Sequence, residues 1–160
     1  VHRAVIYPFQ TFSAGREVDF RQVYMFVEAE DEQTLARAKE FARTLTDNVR
    51  EASVEVRKRI HLCGVFGSNF VNNMYSCAAQ VLADAALPFD VVAPVIAETA
   101  AKALASHSPA SIQTGPAARG DVATMERHRE LIGEDALLRT IYDKISENIW
   151  RTKQNETSKR

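Results

Sequence analysis

Apolar and polar residues alternate in two early stretches of the chain and then recur every three or four positions over most of the rest. Arg3 to Phe9 is rich in Val, Ile, Tyr and Phe, the composition of a strand, with Pro8 marking its end. Gln22 to Glu28 (QVYMFVE) alternates and predicts a second strand. Asp31 is placed to cap a helix reaching about Leu45, since Leu35, Ala38, Phe41, Ala42 and Leu45 keep helical spacing. Asn48 to Ala52 is a short extended piece, a candidate third strand. Three short strands make a weak independent sheet. They are expected to form the edge of a larger, Rossmann-type sheet whose other strands precede Val1.

From Ser53 the period changes. Val56, Ile60, Cys63, Gly67, Phe70, Met74, Cys77, Val81 and Ala85 predict one helix from a Ser53 cap to about Ala86, roughly 50 Å long at about 1.5 Å per residue. Such a length suits a central spine packed on several sides. Leu87-Pro88 ends it. Asp90 is expected to cap a helix to about Ser106, with Pro94 in its first turn. His107 to Gly120 is a loop, Asp121 caps a helix ending near Gly133, and a last helix runs from about Glu134 to Arg151. The expected class is α+β and mainly helical: short strands, then an all-α bundle around one long helix. The boundaries predicted are 1–52 for the sheet-side remnant, 53–152 for the helical domain and 153–160 for a disordered tail.

Composition narrows the functions. Apolar residues make up 46% and charged residues 26% of 160, an ordinary globular balance, and the formal charge is -1. No single-sign field draws in nucleic acid or an anionic membrane, and no apolar run approaches the roughly 20 residues of a bilayer span. Cys63 and Cys77 lie 14 positions apart on the predicted spine, about 21 Å, too far for a disulfide. They are expected to be buried free thiols, which fits a reducing, cytoplasmic setting. Four histidines without close spacing and only two cysteines predict no metal site.

Two segments carry candidate chemistry. On an ideal helix His61, Ser68 and Asn72 fall within about 40° of one face, with Lys58, Asn69 and Asn73 on the adjoining stripe. Gly64, Gly67 and Ser68 open a groove where a ligand or a backbone can approach. Polar groups in mid-helix need hydrogen-bond partners, which either a substrate cleft or neighbouring loops would supply. A histidine there is a natural proton donor or acceptor near neutral pH. The second segment is T-G-P-A-A-R-G-D, Thr114 to Asp121. Its Thr114, Gly115 and Gly120 shape a tight turn at a helix start, where backbone N–H groups favour anions, and Arg119 offers a bidentate fork. Asp121 competes for the same N–H groups, so a capped loop with a structural Arg119–Asp121 pair is the alternative. His128 reads as a packed structural residue. No G-x-G-x-x-G follows a strand, so the chain has no dinucleotide fingerprint of its own.

Together H-L-C-G-V-F-G-S-N-F-V-N-N-M-Y, P-V-I-A-E-T, T-G-P-A-A-R-G-D and a later His resemble the C-terminal domain of bacterial proteins that join a Rossmann-type NAD(P)-binding domain to DUF2520, a domain of unknown function. Y-P-F-Q-T-F-S, Tyr7 to Ser13, is similar to that family's H-P-x-x-T-F-S stretch, with Tyr7 in place of the usual His. The resemblance runs to about Trp150. It implies a distant relative of the β-hydroxyacid (6-phosphogluconate) dehydrogenase and pyrroline-5-carboxylate reductase group. The fold would then be 6-phosphogluconate dehydrogenase C-terminal-domain-like. NAD or NADP would be held mainly by a separate N-terminal domain, and the helical domain would form the substrate pocket and a homodimer interface. Relatives often place a Lys and an Asn on the central helix; here no Lys stands one turn before Asn69, Asn72 or Asn73.

These readings give an oxidoreductase part acting on a small acid or imine-like substrate. His61 would move a proton, Ser68, Asn69 and Asn72 would position the reacting group, and Arg119 with the Gly115–Gly120 loop would hold an anionic group. The rival is a non-catalytic module that dimerises and senses a nucleotide.

Overall fold

The computed structural model describes residues 2–157. The fold is α+β and mainly helical, with a three-stranded sheet at the N-terminal end followed by helices. The chain forms two compact units, Val1–Met74 and Tyr75–Arg160. They part within a helix, not at the change of period near Ser53.

The first unit is built on strand β2 (Tyr24–Ala29). It pairs antiparallel with β1 (Ala4–Phe9) and parallel with β3 (Val49–Glu51). Its alternation has the consequence expected of a pleated strand. Met25 and Val27 are buried with Ala42 of helix α1 (Glu32–Arg43), and Ile6, Leu35 and Val49 pack around them. The opposite face is aromatic, with Tyr7 opposite Phe26, Phe9 opposite Tyr24, and the Phe9 and Phe26 rings edge to face at 6.4 Å. Pro8 does not stop β1. It sits inside a strand paired on one side only, where its missing N–H costs no ladder bond.

Asp31 caps α1, its carboxylate accepting from the Thr34 N–H at 2.8 Å and the Thr34 hydroxyl at 2.8 Å. These two bonds, with a smaller contribution from His2, lower its pKa from 3.8 to about 2. A lowered carboxylate pKa adds stability that is complete above the unfolded value and lost as pH falls through the folded one. The cap should therefore weaken as pH falls from about 4 to about 2. Asp31→Asn, which still accepts from Thr34, should flatten that part of an acid-unfolding curve; an unchanged curve would contradict this.

Helix α2 (Val54–Gly64) starts at the expected cap, Ser53. Arg57 ties it to the sheet: its side chain is 14% exposed, and its guanidinium pairs with Glu28 and donates to the Ala52 carbonyl at 2.7 Å. The predicted single spine is not one continuous α-helix. A π-helical turn, Val65–Phe70, separates α2 from α3 (Val71–Asp84). None of its elements has a buried residue, and Val56, Phe70 and Val81 are each about half exposed, so within this chain the spine is not packed on several sides. Nor are both thiols buried: Cys63 is exposed and Cys77 half-buried. Helical periodicity tells which face is apolar, not what covers it.

In the second unit, α3 ends before Ala86, whose φ of 55° turns the chain into Leu87-Pro88. A 3₁₀ turn, Phe89–Val92, holds Asp90, and α4 (Ala93–Ala105) begins after it with Val92 at its N-cap, so Asp90 does not cap α4. The expected loop contains a short helix, α5 (Pro116–Arg119). Helix α6 (Val122–Ile132) is capped by Asp121 and closed by Gly133 as expected. Helix α7 (Ala136–Thr157) continues past Arg151, so residues 153–157 of the expected tail are helical and residues 158–160 lie outside the described residues. His128 takes the structural role expected of it, with its ring nitrogen 2.9 Å from the Tyr142 hydroxyl. Arg129 likewise binds Asp143 across α6 and α7.

Candidate functional site

The first unit holds a pocket of about 340 Å³ between the end of β1 and the α2–π segment. Strand alternation sends Ile6 toward the α1 core and leaves Tyr7 and Phe9 on the pocket side, with Gln10 and Thr11 following as the strand ends. From the helix come His61 and Cys63, the backbone of Gly64 and Gly67, and Ser68 and Asn69.

Three of the four side chains expected to act together, His61, Ser68 and Asn69, line this pocket; Asn72 does not. The π turn explains the difference. On an unbroken helix Asn72 falls about 20° from His61 and Asn69 about 80°. A π turn carries about one extra residue, setting everything beyond it back by about 100°. That takes Asn72, which lies beyond the turn, off the His61 face, whereas Ser68 and Asn69 lie within the turn itself and line the pocket. π turns inside α-helices recur at functional sites, and this one carries Gly67, Ser68 and Asn69.

The sequence pattern does not mark Tyr7 for chemistry, yet its hydroxyl lies 3.3 Å from His61 Nδ1, at the long end of hydrogen bonding. With Nδ1 facing Tyr7, Nε2 is the His61 nitrogen left for a ligand. The only hint in the sequence was that Tyr7 stands where similar proteins have His. Gln10 and Thr11 were also missed; the Thr11 N–H donates to the Gln10 side-chain oxygen at 2.8 Å, which fixes that amide. Gly64 is needed for closeness: a Cβ there would lie 2.9 Å from the Phe9 ring.

The second candidate, Thr114 to Asp121, belongs to the other unit. Gly115 has φ 101°, Pro116 opens α5, and Gly120 has φ 67° as its C-cap. Ala117 is buried, and a Cβ on Gly120 would lie 3.0 Å from the Trp150 ring. Asp121 accepts from the Thr124 hydroxyl at 2.8 Å and N–H at 3.1 Å, bonds that hold its carboxyl below the usual range. The start of α6 therefore already has its anion. Arg119 is 65% exposed and 4.0 Å from Asp121. Thr114 is exposed, and its carbonyl accepts from the Gln113 amide. Among the described residues no helix is long and apolar enough to cross a membrane.

The fold and the pocket thus define an α+β domain whose small, uncharged cleft is walled by a strand end and a π-bulged helix. The chain belongs to the DUF2520 family, a domain of unknown function, whose model matches residues 23–149. Among solved structures it is similar to "putative NADP oxidoreductase BF3122" from Bacteroides fragilis, at 41% identity and a TM-score of 0.89, over 94% of this chain and 58% of that one. It is also similar in fold to protein TM1727 from Thermotoga maritima, at 22% identity and a TM-score of 0.79, over 97% of this chain and 63% of that one. The chain therefore spans less than two thirds of either protein. No curated protein matches it.

Proposed function

We propose that this chain is the substrate-binding and dimerisation part of an NAD(P)-dependent oxidoreductase acting on a small acid or imine-like substrate. The observation that carries it is the Tyr7–His61 pair opening on a pocket whose far wall is a π turn bearing Ser68 and Asn69. The NADP oxidoreductase description of the Bacteroides fragilis protein supports the redox class. The pocket offers no Lys or Arg for a phosphate among the described residues, so the nucleotide's phosphates would be bound by a separate nucleotide-binding region. The nicotinamide would supply hydride. His61 would give or take the accompanying proton, and Asn69, with Ser68 beside it, would orient the reacting group. Arg119 is an exposed charge in the other unit able to hold an anion; the Asp121 cap weighs toward a structural part for the rest of that loop.

Dimerisation is supported by apolar side chains left in water. Leu104 is 88%, Leu131 81% and Leu137 71% exposed, apolar surface that a second copy could cover. It also supports the second reading, a dimerising module without catalysis.

Calorimetry with NADPH and NADH, on this chain and on a longer form carrying a nucleotide-binding region, separates the two. Binding by the longer form alone is expected. If both forms are folded and neither binds, the oxidoreductase reading fails and the interaction module stands. Light scattering on the same samples should give a dimer.

A further inference from the structure

The pocket wall is neutral. Among the described residues no Lys, Arg, Asp or Glu lines it, and His61 is its one titratable nitrogen base. Along α2, Arg57 is engaged with Glu28 and the Ala52 carbonyl and Lys58 with Glu55, and Arg59 is not among the residues that line the pocket. The wall is nevertheless rich in groups that both donate and accept: the amides of Gln10 and Asn69 and the hydroxyls of Thr11, Ser68 and Tyr7. The Gln10 oxygen is taken by the Thr11 N–H, which leaves its NH₂ as a donor. The Ser68 hydroxyl lies in mid-helix, where a serine commonly bonds back to its own helix. Neither it nor the Asn69 amide has a hydrogen bond among the described residues. Phe9, Val65 and the Tyr7 ring supply apolar faces around these groups.

A carboxylate or phosphate entering such a place would lose water without meeting a fixed cation, an uncompensated cost. An uncharged carbonyl, amide or hydroxyl would lose less and find both donors and acceptors. We infer that the pocket selects the uncharged, hydrogen-bonding end of its ligand, a carbonyl, carboxamide or hydroxyl next to a flat apolar surface, and rejects an anionic one. This rests on the reading of the pocket as the ligand site. It also divides the expected substrate: the acid group, if there is one, stays outside the pocket and the reacting neutral carbon end enters it.

Benzamide and benzoate have the same ring and nearly the same size and differ in charge at neutral pH, so they test the point on the chain as it stands. Titration of each into isotope-labelled protein, followed by amide NMR, should show benzamide moving the resonances of Gln10, Ser68 and Asn69. Benzoate should bind there at least tenfold more weakly. Gln10→Lys, a change at an exposed position past the end of β1, should raise the affinity for benzoate relative to that for benzamide at least tenfold. Gly67→Leu should block benzamide; a Cβ at Gly67 meets no protein atom within 4 Å, so the change begins without a clash. Benzoate binding in the pocket as tightly as benzamide overturns the neutral-end inference and leaves the pocket standing as a ligand site. Shifts from neither probe at their solubility limits overturn both.

Discussion

Gly120→Ala is expected to destabilise the second unit by about 2–4 kcal/mol, from two separable causes. The first is backbone: Gly120 holds φ 67° and ψ 28° as the C-cap of α5, a left-handed conformation that costs an L-residue roughly 1–2 kcal/mol. The second is space. The new Cβ would stand 3.0 and 3.2 Å from two atoms of the Trp150 ring. Trp150 is 44% exposed and can give a little, so the steric share is set at about 1–2 kcal/mol. The two causes separate in a double-mutant cycle. In a Trp150→Ala background, Gly120→Ala should retain only the backbone share. The chain has a single tryptophan, so its fluorescence in denaturant reports unfolding of this unit in the single variant, and circular dichroism serves for the cycle. A loss below about 0.5 kcal/mol, or an equal loss in both backgrounds, would sink the steric account. The outcome also bears on what T-G-P-A-A-R-G-D is for. A large cost makes Gly120 a packing and turn residue and leaves Arg119 as the part of the motif open to a ligand.

Local features were legible where a single residue type settles a local hydrogen bond or dihedral. Asp31, Ser53 and Asp121 cap the helices they precede, and Gly133 closes α6, because each completes its turn with atoms within a few positions. The alternation of β2 fixed which of its residues enter the core. The π turn was illegible for the opposite reason. Its apolar residues keep a three-or-four spacing across the extra residue, so nothing in the pattern marks the change of register that takes Asn72 off the His61 face. The Tyr7–His61 contact spans 54 positions and follows from how β1 lies against α2, which no local pattern encodes. The resemblance to DUF2520 proteins supplied the fold, and the family match agrees with it. It pointed at Tyr7 as a departure but gave the residue no partner.

That partner makes the last expectation specific. If the Tyr7 hydroxyl donates to His61 Nδ1, the ring carries its proton on Nε2 and presents an N–H donor to the pocket. Long-range proton–nitrogen spectra of the neutral His61 ring should then show the Nε2–H form dominant in the unchanged protein. In Tyr7→Phe they should show a mixture of both neutral forms. A dominant Nδ1–H form in the unchanged protein would reverse the donor and make Tyr7 the group that faces the ligand. Turnover reads the same arrangement in the form carrying a nucleotide-binding region, with NADPH and a screen of small keto acids and cyclic imines. His61→Gln should lower kcat by roughly 10²–10⁴, the range lost with a general acid or base. Tyr7→Phe should lower it only about tenfold and move the pH profile of kcat, because Tyr7 acts through the ring it orients. A merely structural Tyr7 would leave that profile in place. Since the 3.3 Å separation is long for a hydrogen bond, the contact is expected to tighten when ligand fills the pocket. The tautomer difference between the two proteins should therefore grow on adding benzamide, and a difference that vanishes on ligand binding would mean that the contact belongs to the empty pocket alone.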